Sequence, residues 1–221
     1  MRNVYRQLAY WRRLQRVSKT RYRHLIQTVY RRRCRTLVEI GTYDGVHAQH
    51  MIETAGIFHP ISDVEYFGFD LFELLTDDDL EKEFSKKPPS LAEVAQRLEG
   101  TGANVGLSVG YTSETLPKFV REKRNSGTAI DFVFIDGGHS IETITSDWSY
   151  VRELMNVNTV VLFDDYYSNT EPEVQEVGCR QLVDKLDRRE YDVEVLEPED
   201  HFTKEWGILK VRMVRATLRS R

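Results

Sequence analysis

The chain has 221 residues, 40% of them hydrophobic and 30% charged, so it is long and apolar enough to fold around a core of its own. This composition excludes a disordered chain, and no apolar run approaches the roughly 20 residues that a membrane-spanning helix needs. The net charge of −4 conceals an asymmetry, because residues 1–35 hold 12 of the 31 lysines and arginines and none of the 35 acidic residues. The remainder carries 19 basic residues against those 35 acidic ones.

A basic arm on an acidic body can contact a nucleic acid or an anionic membrane, or it can fold back on its own body or on a neighbouring subunit. A charge excess by itself specifies no partner, so we favour the fold-back interpretation and keep homo-oligomerisation through the arm open. Cys34 and Cys179 lie far apart in the sequence and suit free thiols in a reducing compartment, which indicates a cytoplasmic protein.

The arm, residues 1–35, is predicted to be a helical extension. Its apolar residues recur at helical spacing and a polar stretch at residues 17–20 interrupts them, so we expect two helices. The following domain, residues 36–221, alternates apolar β-branched runs with helical patterns. The predicted strands are residues 36–40, 64–69, 104–109, 130–135, 159–163, 191–196 and 208–214. The predicted helices are residues 46–55, 90–99, 114–124, 140–155 and 173–188. This alternation predicts a three-layer α/β domain with a mostly parallel sheet.

A polar excursion at residues 71–89 carries no strand pattern and is typical of a lid or binding loop. Its three adjacent acids, residues 77–79, are interpreted as the solvated start of a helix rather than as a metal site.

The first strand runs into a glycine turn and a helix start, which places backbone N–H groups at the carboxyl edge of the sheet. The spacing Glu39-x-Gly41-x-x-x-Gly45 lacks the middle glycine of the dinucleotide fingerprint, so a nicotinamide-dependent oxidoreductase is disfavoured. Asp70 ends the second strand, where an acid either accepts hydrogen bonds from ribose hydroxyls or caps the strand; the spacing leaves both interpretations open.

Three further acids follow the fourth and fifth strands: Asp136, Asp164 and Asp165. Neighbouring parallel strands would bring these carboxylates together, and hard oxygen ligands of this kind suit Mg²⁺, Ca²⁺ or Mn²⁺. Each acid alone is equally compatible with a turn or a helix cap. His139, on the same edge, is a candidate general base, helix-start residue or ligand, and His47 is held in reserve. The sequence contains no serine nucleophile elbow, C-x-x-C pair or P-loop lysine.

Several of these segments together resemble a known family. VEIGTYDGVHA, FGFD, VGLSVGYTSETLPKF, DFVFIDGGHSIETITSDW and VVLFDDYY are similar to the class I S-adenosylmethionine-dependent methyltransferases, in particular the metal-dependent macrolide and sugar O-methyltransferases. The resemblance spans residues 36–214 and leaves the basic arm outside. It implies a Rossmann-like three-layer sandwich whose mostly parallel, seven-stranded sheet has a reversed last strand.

The resemblance also implies a set of site residues. The cofactor-binding set is Glu39, Gly41, Thr42, Tyr43, Gly45, Asp70, Leu71, Tyr111, Thr112, Ser113 and Asp136. Within it, the first turn surrounds the methionine part, Asp70 binds the ribose hydroxyls, and residues 111–113 border the adenine. The implied metal ligands are Asp136, Asp164 and Asp165. The acid that some relatives carry two residues after the first metal aspartate is Gly138 here, so the role of base passes to His139.

We therefore expect a methyltransferase that uses S-adenosylmethionine and a divalent cation, most simply Mg²⁺, to methylate a hydroxyl of a small sugar-like or natural-product-like molecule. One alternative is a methyltransferase that docks RNA or another polyanion through the Arg-rich arm. Another is a non-catalytic module that binds S-adenosylmethionine.

Overall fold

The computed structural model describes residues 2–17, 19–83, 86–169 and 171–219. Residues 1, 18, 84, 85, 170, 220 and 221 lie outside the described residues. They fall in the predicted extension and its break, in the polar excursion and in the predicted domain.

Within these ranges, eight strands form one sheet. They are β1 (Thr36–Ile40), β2 (Glu65–Asp70), β3 (Asn104–Val109), β4 (Phe132–Ile135), β5 (Val160–Tyr167), β6 (Tyr191–Val195), β7 (Asp200–Lys204) and β8 (Gly207–Leu218). The order is β3-β2-β1-β4-β5-β8-β6, and β7 pairs with β8. The strands from β1 to β5 are parallel, whereas β8 runs antiparallel to both β5 and β6. The prediction of a mostly parallel sheet with a reversed last strand is confirmed.

The sheet has one strand more than the seven that the resemblance implies. The additional strand, β7, forms a hairpin with the first residues of β8, which is longer than predicted. Four of its five residues are polar or charged and most of its side chains are exposed. It therefore lacks the alternating apolar pattern from which a half-buried strand is predicted.

Eight helices are described around this sheet: α1 (Arg2–Arg16), α2 (Arg23–Arg32), α3 (Val46–Ala55), α4 (Asp77–Lys82), α5 (Leu91–Glu99), α6 (Thr112–Ser126), α7 (Ile141–Val151) and α8 (Arg180–Lys185). The two helices of the extension form as expected. The acids at residues 77–79 start α4, as interpreted, and Thr76 closes a capping box with Asp79 there.

The helix predicted at residues 173–188 is much shorter, because the chain first binds the carboxyl edge of the sheet. The Gly178 N–H donates to the His139 carbonyl at 2.8 Å, and the Cys179 N–H donates to the Asp165 carbonyl at 3.0 Å. Gly178 has a φ of +79°, and α8 begins only at Arg180. Backbone pairing with the functional edge thus overrides local helix propensity here.

Both faces of the sheet are covered, as in other mostly parallel sheets. Every residue of β1 is buried. One core joins β1 and β4 to α2, α3 and α5, and the other joins the opposite face to α6, α7 and α8. The result is the predicted three-layer arrangement.

The basic extension is packed into this core. Leu25, Ile26 and Val29 of α2 have at most 1% of their surface exposed and share one buried cluster with residues of β1 and α3. The division at residue 35 therefore stays a prediction. None of the helices described here is both long and apolar enough to cross a membrane.

We predict that Leu25→Ala lowers the free energy of unfolding by about 2–5 kcal/mol, because it leaves a cavity in the shared core. The matched control is Leu8→Ala on α1, where the leucine is 50% exposed, and it should cost less than about 0.5 kcal/mol. Urea denaturation of both variants measures the difference. Equal stabilities would mean that the extension does not contribute to the core.

Candidate functional site

A cavity of about 330 Å³ opens at the carboxyl ends of the parallel strands. Its walls are the turn after β1, the end of β2, residues 110–113 and residues 136–138, and part of α7 closes one side. The volume falls in the range of sites for small molecules, and the location is where open α/β sheets bind ligands.

The floor of the cavity is a close backbone contact between the ends of β1 and β4. Gly41 has a φ of +90°, and a Cβ atom there would lie 2.0 Å from the Asp136 carbonyl oxygen. The Gly41 N–H also donates to the Phe69 carbonyl at 2.9 Å, which ties this turn to β2. Only glycine fits this position, because both the conformation and the space exclude a side chain.

Asp70, at the end of β2, is fixed by two backbone donors. The Tyr43 N–H donates to Oδ2 at 2.7 Å, and the Phe72 N–H donates to Oδ1 at 3.0 Å. Each carboxylate oxygen has a further lone pair, so both oxygens can still accept a hydrogen bond from a ligand in the cavity.

The polar excursion covers the cavity. The Tyr111 hydroxyl donates to both oxygens of Asp79, at 3.2 and 3.1 Å. Glu83 accepts hydrogen bonds from the Ser140 N–H at 2.8 Å and from the Thr143 hydroxyl at 2.9 Å, at the start of α7. These contacts hold the excursion against the rim in a closed position.

The predicted cofactor residues divide into two groups. Those that line the cavity are Gly41, Tyr43, Asp70, Leu71, Tyr111, Thr112, Ser113 and Asp136. Three others do not line it: Glu39, Thr42 and Gly45. Gly45 starts α3 and faces Val94 and Leu98.

Glu39 is buried behind the turn and accepts a hydrogen bond from the Tyr66 hydroxyl. Its other oxygen has no hydrogen-bond partner among the described residues. Burial raises the pKa of this carboxyl to about 8, and the hydrogen bond from Tyr66 only partly opposes the effect. The carboxyl therefore keeps its proton to a higher pH than an exposed glutamate does.

A cluster of ligand-type side chains adjoins the cavity at Asp136. One ligand atom each from Asp136, His139 and Asp165 lies within 4.8 Å of the others. His139 Nε2 is 3.1 Å from Asp165 Oδ2. The register between β5 and β8 shifts after Phe163, and Asp165 takes a φ of +57°. This bulge lets Asp164 and Asp165, although adjacent, have different partners.

Asp164 is bound by an arginine of the N-terminal extension. Arg21 donates from Nε to Oδ1 at 2.7 Å and from Nη2 to Oδ2 at 2.8 Å, and both side chains are almost completely buried. Burial would raise the pKa of Asp164, but the charge and hydrogen bonds of Arg21 outweigh it, and the pKa is lowered. The structure thus places Asp164 in an ion pair, apart from the cluster that holds the other two predicted metal ligands.

The pKa values of Asp136 and Asp165 are raised, in contrast to that of Asp164. Burial raises the pKa of Asp136 well above its usual value, and the charges of Asp164 and Asp165 add to it. Burial and the charge of Asp164 also raise the pKa of Asp165, which His139 partly opposes. The two carboxyls thus favour a bound cation or proton. The two carboxylates and waters in the open positions suit Mg²⁺ or Mn²⁺, and an imidazole nitrogen in the set shifts the preference from Mg²⁺ towards a transition metal such as Mn²⁺.

Tyr22 connects the extension to this cluster. Its hydroxyl donates to Asp136 Oδ2 at 3.4 Å and accepts from Arg21 Nη2 at 3.1 Å. Its ring packs on His47, with the ring centres 4.0 Å apart. Burial lowers the pKa of His47 to about 4, so its imidazole is neutral at physiological pH.

The sequence reasoning did not identify Arg21, Tyr22 or Glu83. The lack of acids in residues 1–35 indicated that the arm folds onto an acidic surface, but it does not distinguish Arg21 from the other 11 basic residues there. Glu83 lies in the predicted excursion, and its contact with the start of α7 depends on the tertiary fold.

We predict that Gly41→Ala lowers the free energy of unfolding by roughly 1–3 kcal/mol more than Gly127→Ala does, because its Cβ would overlap backbone at the floor of the cavity. Gly127 is the matched control, since it has a φ of +67° but nothing lies within 4 Å of an added Cβ. Urea denaturation measures both effects. Equal losses of stability in the two variants would show that the backbone of Asp136 leaves room for a Cβ atom at position 41.

Comparison with known proteins agrees with this arrangement. A family model described as a methyltransferase domain matches residues 38–166, which is more than half of the chain. Comparison with curated proteins gives no match.

Several solved structures have the same fold. The O-methyltransferase TomG from Streptomyces achromogenes, involved in tomaymycin synthesis and solved with SAM, is 19% identical with a TM-score of 0.63, over 92% of this chain and 82% of that one. An O-methyltransferase from Bacillus cereus, solved with SAH, is 16% identical with a TM-score of 0.56, over 92% and 82%. An rRNA methylase from Streptococcus thermophilus is 13% identical with a TM-score of 0.59, over 92% and 99%.

The segment that the family model matches thus contains the glycine turn after β1, Asp70 at the end of β2 and the aspartates at the carboxyl edge of the sheet. The chain belongs to the methyltransferase-domain family and is a class I S-adenosylmethionine-dependent methyltransferase.

Proposed function

We propose that this methyltransferase transfers the methyl group to a hydroxyl of a small molecule, with the help of one divalent cation. The observation that carries the proposal is the continuity of two sites. The cavity and the cluster of Asp136, His139 and Asp165 share residues 136–138 as a common wall. A methyl donor in the cavity would therefore face an acceptor bound at the cluster.

S-adenosylmethionine would supply an activated methyl group in this cavity. The carboxylate of Asp70 is positioned to accept hydrogen bonds from the ribose hydroxyls, and residues 111–113 would border the adenine. Gly41 and Gly137, which line the cavity, would border the methionine part. The excursion held by Glu83 would exclude water from the reacting atoms.

A divalent cation would supply the charge that lowers the pKa of an acceptor hydroxyl. Asp136 and Asp165 provide oxygen donors for it, and His139 provides Nε2. We assign His139 to this ligand set rather than to the general base, because its Nε2 lies 3.1 Å from Asp165 Oδ2 and is thereby directed into the cluster. The acceptor oxygen would form a bond to the methyl carbon as the bond from that carbon to the sulfonium sulfur breaks, which leaves S-adenosylhomocysteine, and the hydroxyl proton would pass to solvent. Holding donor and acceptor in line would provide much of the remaining rate enhancement.

The ion pairs between the basic arm and the rest of the protein support a small acceptor. Arg21 is buried on Asp164, and Arg13 and Arg16 pair with Glu53 of α3. These arginines are thus engaged with the acidic body of the protein itself. An RNA acceptor would have to be bound by those arginines of the arm that stay exposed, such as Arg23, and its binding would depend steeply on salt.

We predict that Asp70→Ala weakens the binding of S-adenosylmethionine by about 10–100-fold, because it removes charged acceptors of two hydrogen bonds. The control is Asp131→Ala. Asp131 also accepts from two backbone N–H groups, those of Arg35 and Thr36, but it lies at the opposite end of the strands. Isothermal titration calorimetry of both variants measures the effect. Unchanged affinity in Asp70→Ala would contradict the assignment of the ribose site.

We predict that removing the cation, with EDTA or through Asp165→Asn, lowers methyl transfer by about 100-fold or more, because the acceptor loses its Lewis acid. The assay is transfer of labelled methyl from S-adenosylmethionine to a panel of small hydroxylated molecules. Asp184→Asn, at a half-exposed ion pair on α8, is the control and should keep full activity. Transfer that is insensitive to EDTA and to Asp165→Asn would contradict a role for the cation.

A further inference from the structure

Arg21 of the extension contacts Asp164 and Asp165, which lie within β5 next to Asp136 after the end of β4. Only about 5% of its side chain is exposed, and for Asp164 the value is 1%. The guanidinium uses two nitrogens on Asp164, which gives the fork-to-fork geometry of the strongest arginine–carboxylate pairs. Both oxygens of Asp164 are thereby occupied.

The remaining contacts of Arg21 hold this geometry in place. Nη1 donates to Asp200 Oδ2 at 3.2 Å, and the backbone N–H of Arg21 donates to the same oxygen at 3.3 Å. Nη2 also donates to the Tyr22 hydroxyl, whose own hydrogen bond goes to Asp136. Arg21 is thus fixed from the side of β7 and from its own segment, and it is not a freely moving surface arginine.

The charges define what the cluster can accept. Asp136, Asp164 and Asp165 bring three potential negative charges to one edge of the sheet, where Asp164 and Asp165 are buried and Asp136 is half-buried. Arg21 Nη2 also lies 4.0 Å from Asp165 Oδ1, but the two short hydrogen bonds go to Asp164, so the charge of Arg21 offsets mainly that of Asp164. The two negative charges that remain match one divalent cation. Were Asp164 free, three carboxylates would compete for the cation, and the site would retain an excess negative charge that burial penalises.

We propose that Arg21 is a positioning residue of the active site: it holds Asp164 out of the ligand set, so that a single divalent cation binds through Asp136, His139 and Asp165. This inference rests on the proposed metal-assisted function. It also makes the extension part of the active site, although Arg21 lies outside residues 38–166, which the family model matches.

A double-mutant cycle on the full-length protein tests the proposal, with binding of MnCl₂ measured by calorimetry and by the electron paramagnetic resonance signal of free Mn²⁺. Arg21→Met removes a nearby positive charge and frees Asp164, so Mn²⁺ should bind more tightly, on the order of tenfold. Asp164→Asn removes the negative charge that Arg21 binds most closely and keeps the guanidinium beside the site, held by Asp200, so binding should weaken by about tenfold. The double variant removes both charges and should bind Mn²⁺ within about threefold of the wild type.

Two controls accompany the cycle. Arg23→Met removes an exposed charge from the same arm and should leave Mn²⁺ affinity within about twofold, which excludes a general effect of net charge. Binding of S-adenosylmethionine reports whether each variant is folded. If Arg21→Met alone is unstable because it leaves the buried carboxylate of Asp164 unpaired, the double variant still gives the decisive comparison, because only the partly exposed Asp200 then loses its ion pair with Arg21.

The outcomes separate this inference from the proposed function. If Asp164→Asn and the double variant both lose Mn²⁺ by more than about 100-fold while the wild type binds it, Asp164 is a ligand and the role of Arg21 is overturned. If the wild type binds S-adenosylmethionine but no Mn²⁺, the metal-assisted function fails and the inference fails with it. Recovery of affinity in the double variant supports the proposal.

Discussion

The crowding of three aspartates at one edge of the sheet is the constraint on which the site depends. Asp136 follows β4 and is half-buried, whereas Asp164 and Asp165 lie within the adjacent strand β5 and are buried. Buried carboxylates need cations, protons or hydrogen-bond donors. Arg21 supplies a cation to one of them, Tyr22 supplies a hydrogen bond to another, and His139 approaches the third. The arrangement of the extension, the bulge in β5 and the pairing of β7 beside Arg21 all follow from this need.

A second constraint is the close backbone contact between the ends of β1 and β4. Because Gly41 has no side chain, the Asp136 carbonyl approaches it directly, and the floor of the cavity is made of backbone. The same residue, Asp136, lines the cavity with its neighbours and contributes a side chain to the ligand cluster. Under the proposed function, the methyl donor and the acceptor would therefore bind on either side of one short segment, and the geometry of the sheet would fix their separation.

Much of the fold follows from sequence pattern, because β1 to β5 are apolar runs separated by helical periodicity and glycine turns. The assignment of the family from the glycine turn, the acid that ends β2 and the paired aspartates is confirmed. Gly41, Asp70 and residues 111–113, which line the cavity, lie at or just after the ends of strands, where local sequence determines their placement. β7 could not be predicted in this way, since its side chains are polar and its pairing depends on β8. The pairing of Arg21 with Asp164 spans 143 positions in the sequence and depends on how the extension packs. No local pattern carries that information.

The central claim is that one divalent cation occupies a site made by Asp136, His139 and Asp165 while Arg21 retains Asp164. The most direct measurement is a crystal structure of the protein soaked with Mn²⁺ and S-adenosylmethionine, with anomalous scattering used to locate the metal. The account predicts one anomalous peak within about 2.5 Å of a ligand atom from each of the three side chains, with the Arg21–Asp164 pair intact. A peak bound to Asp164, or none at this edge of the sheet, would contradict it.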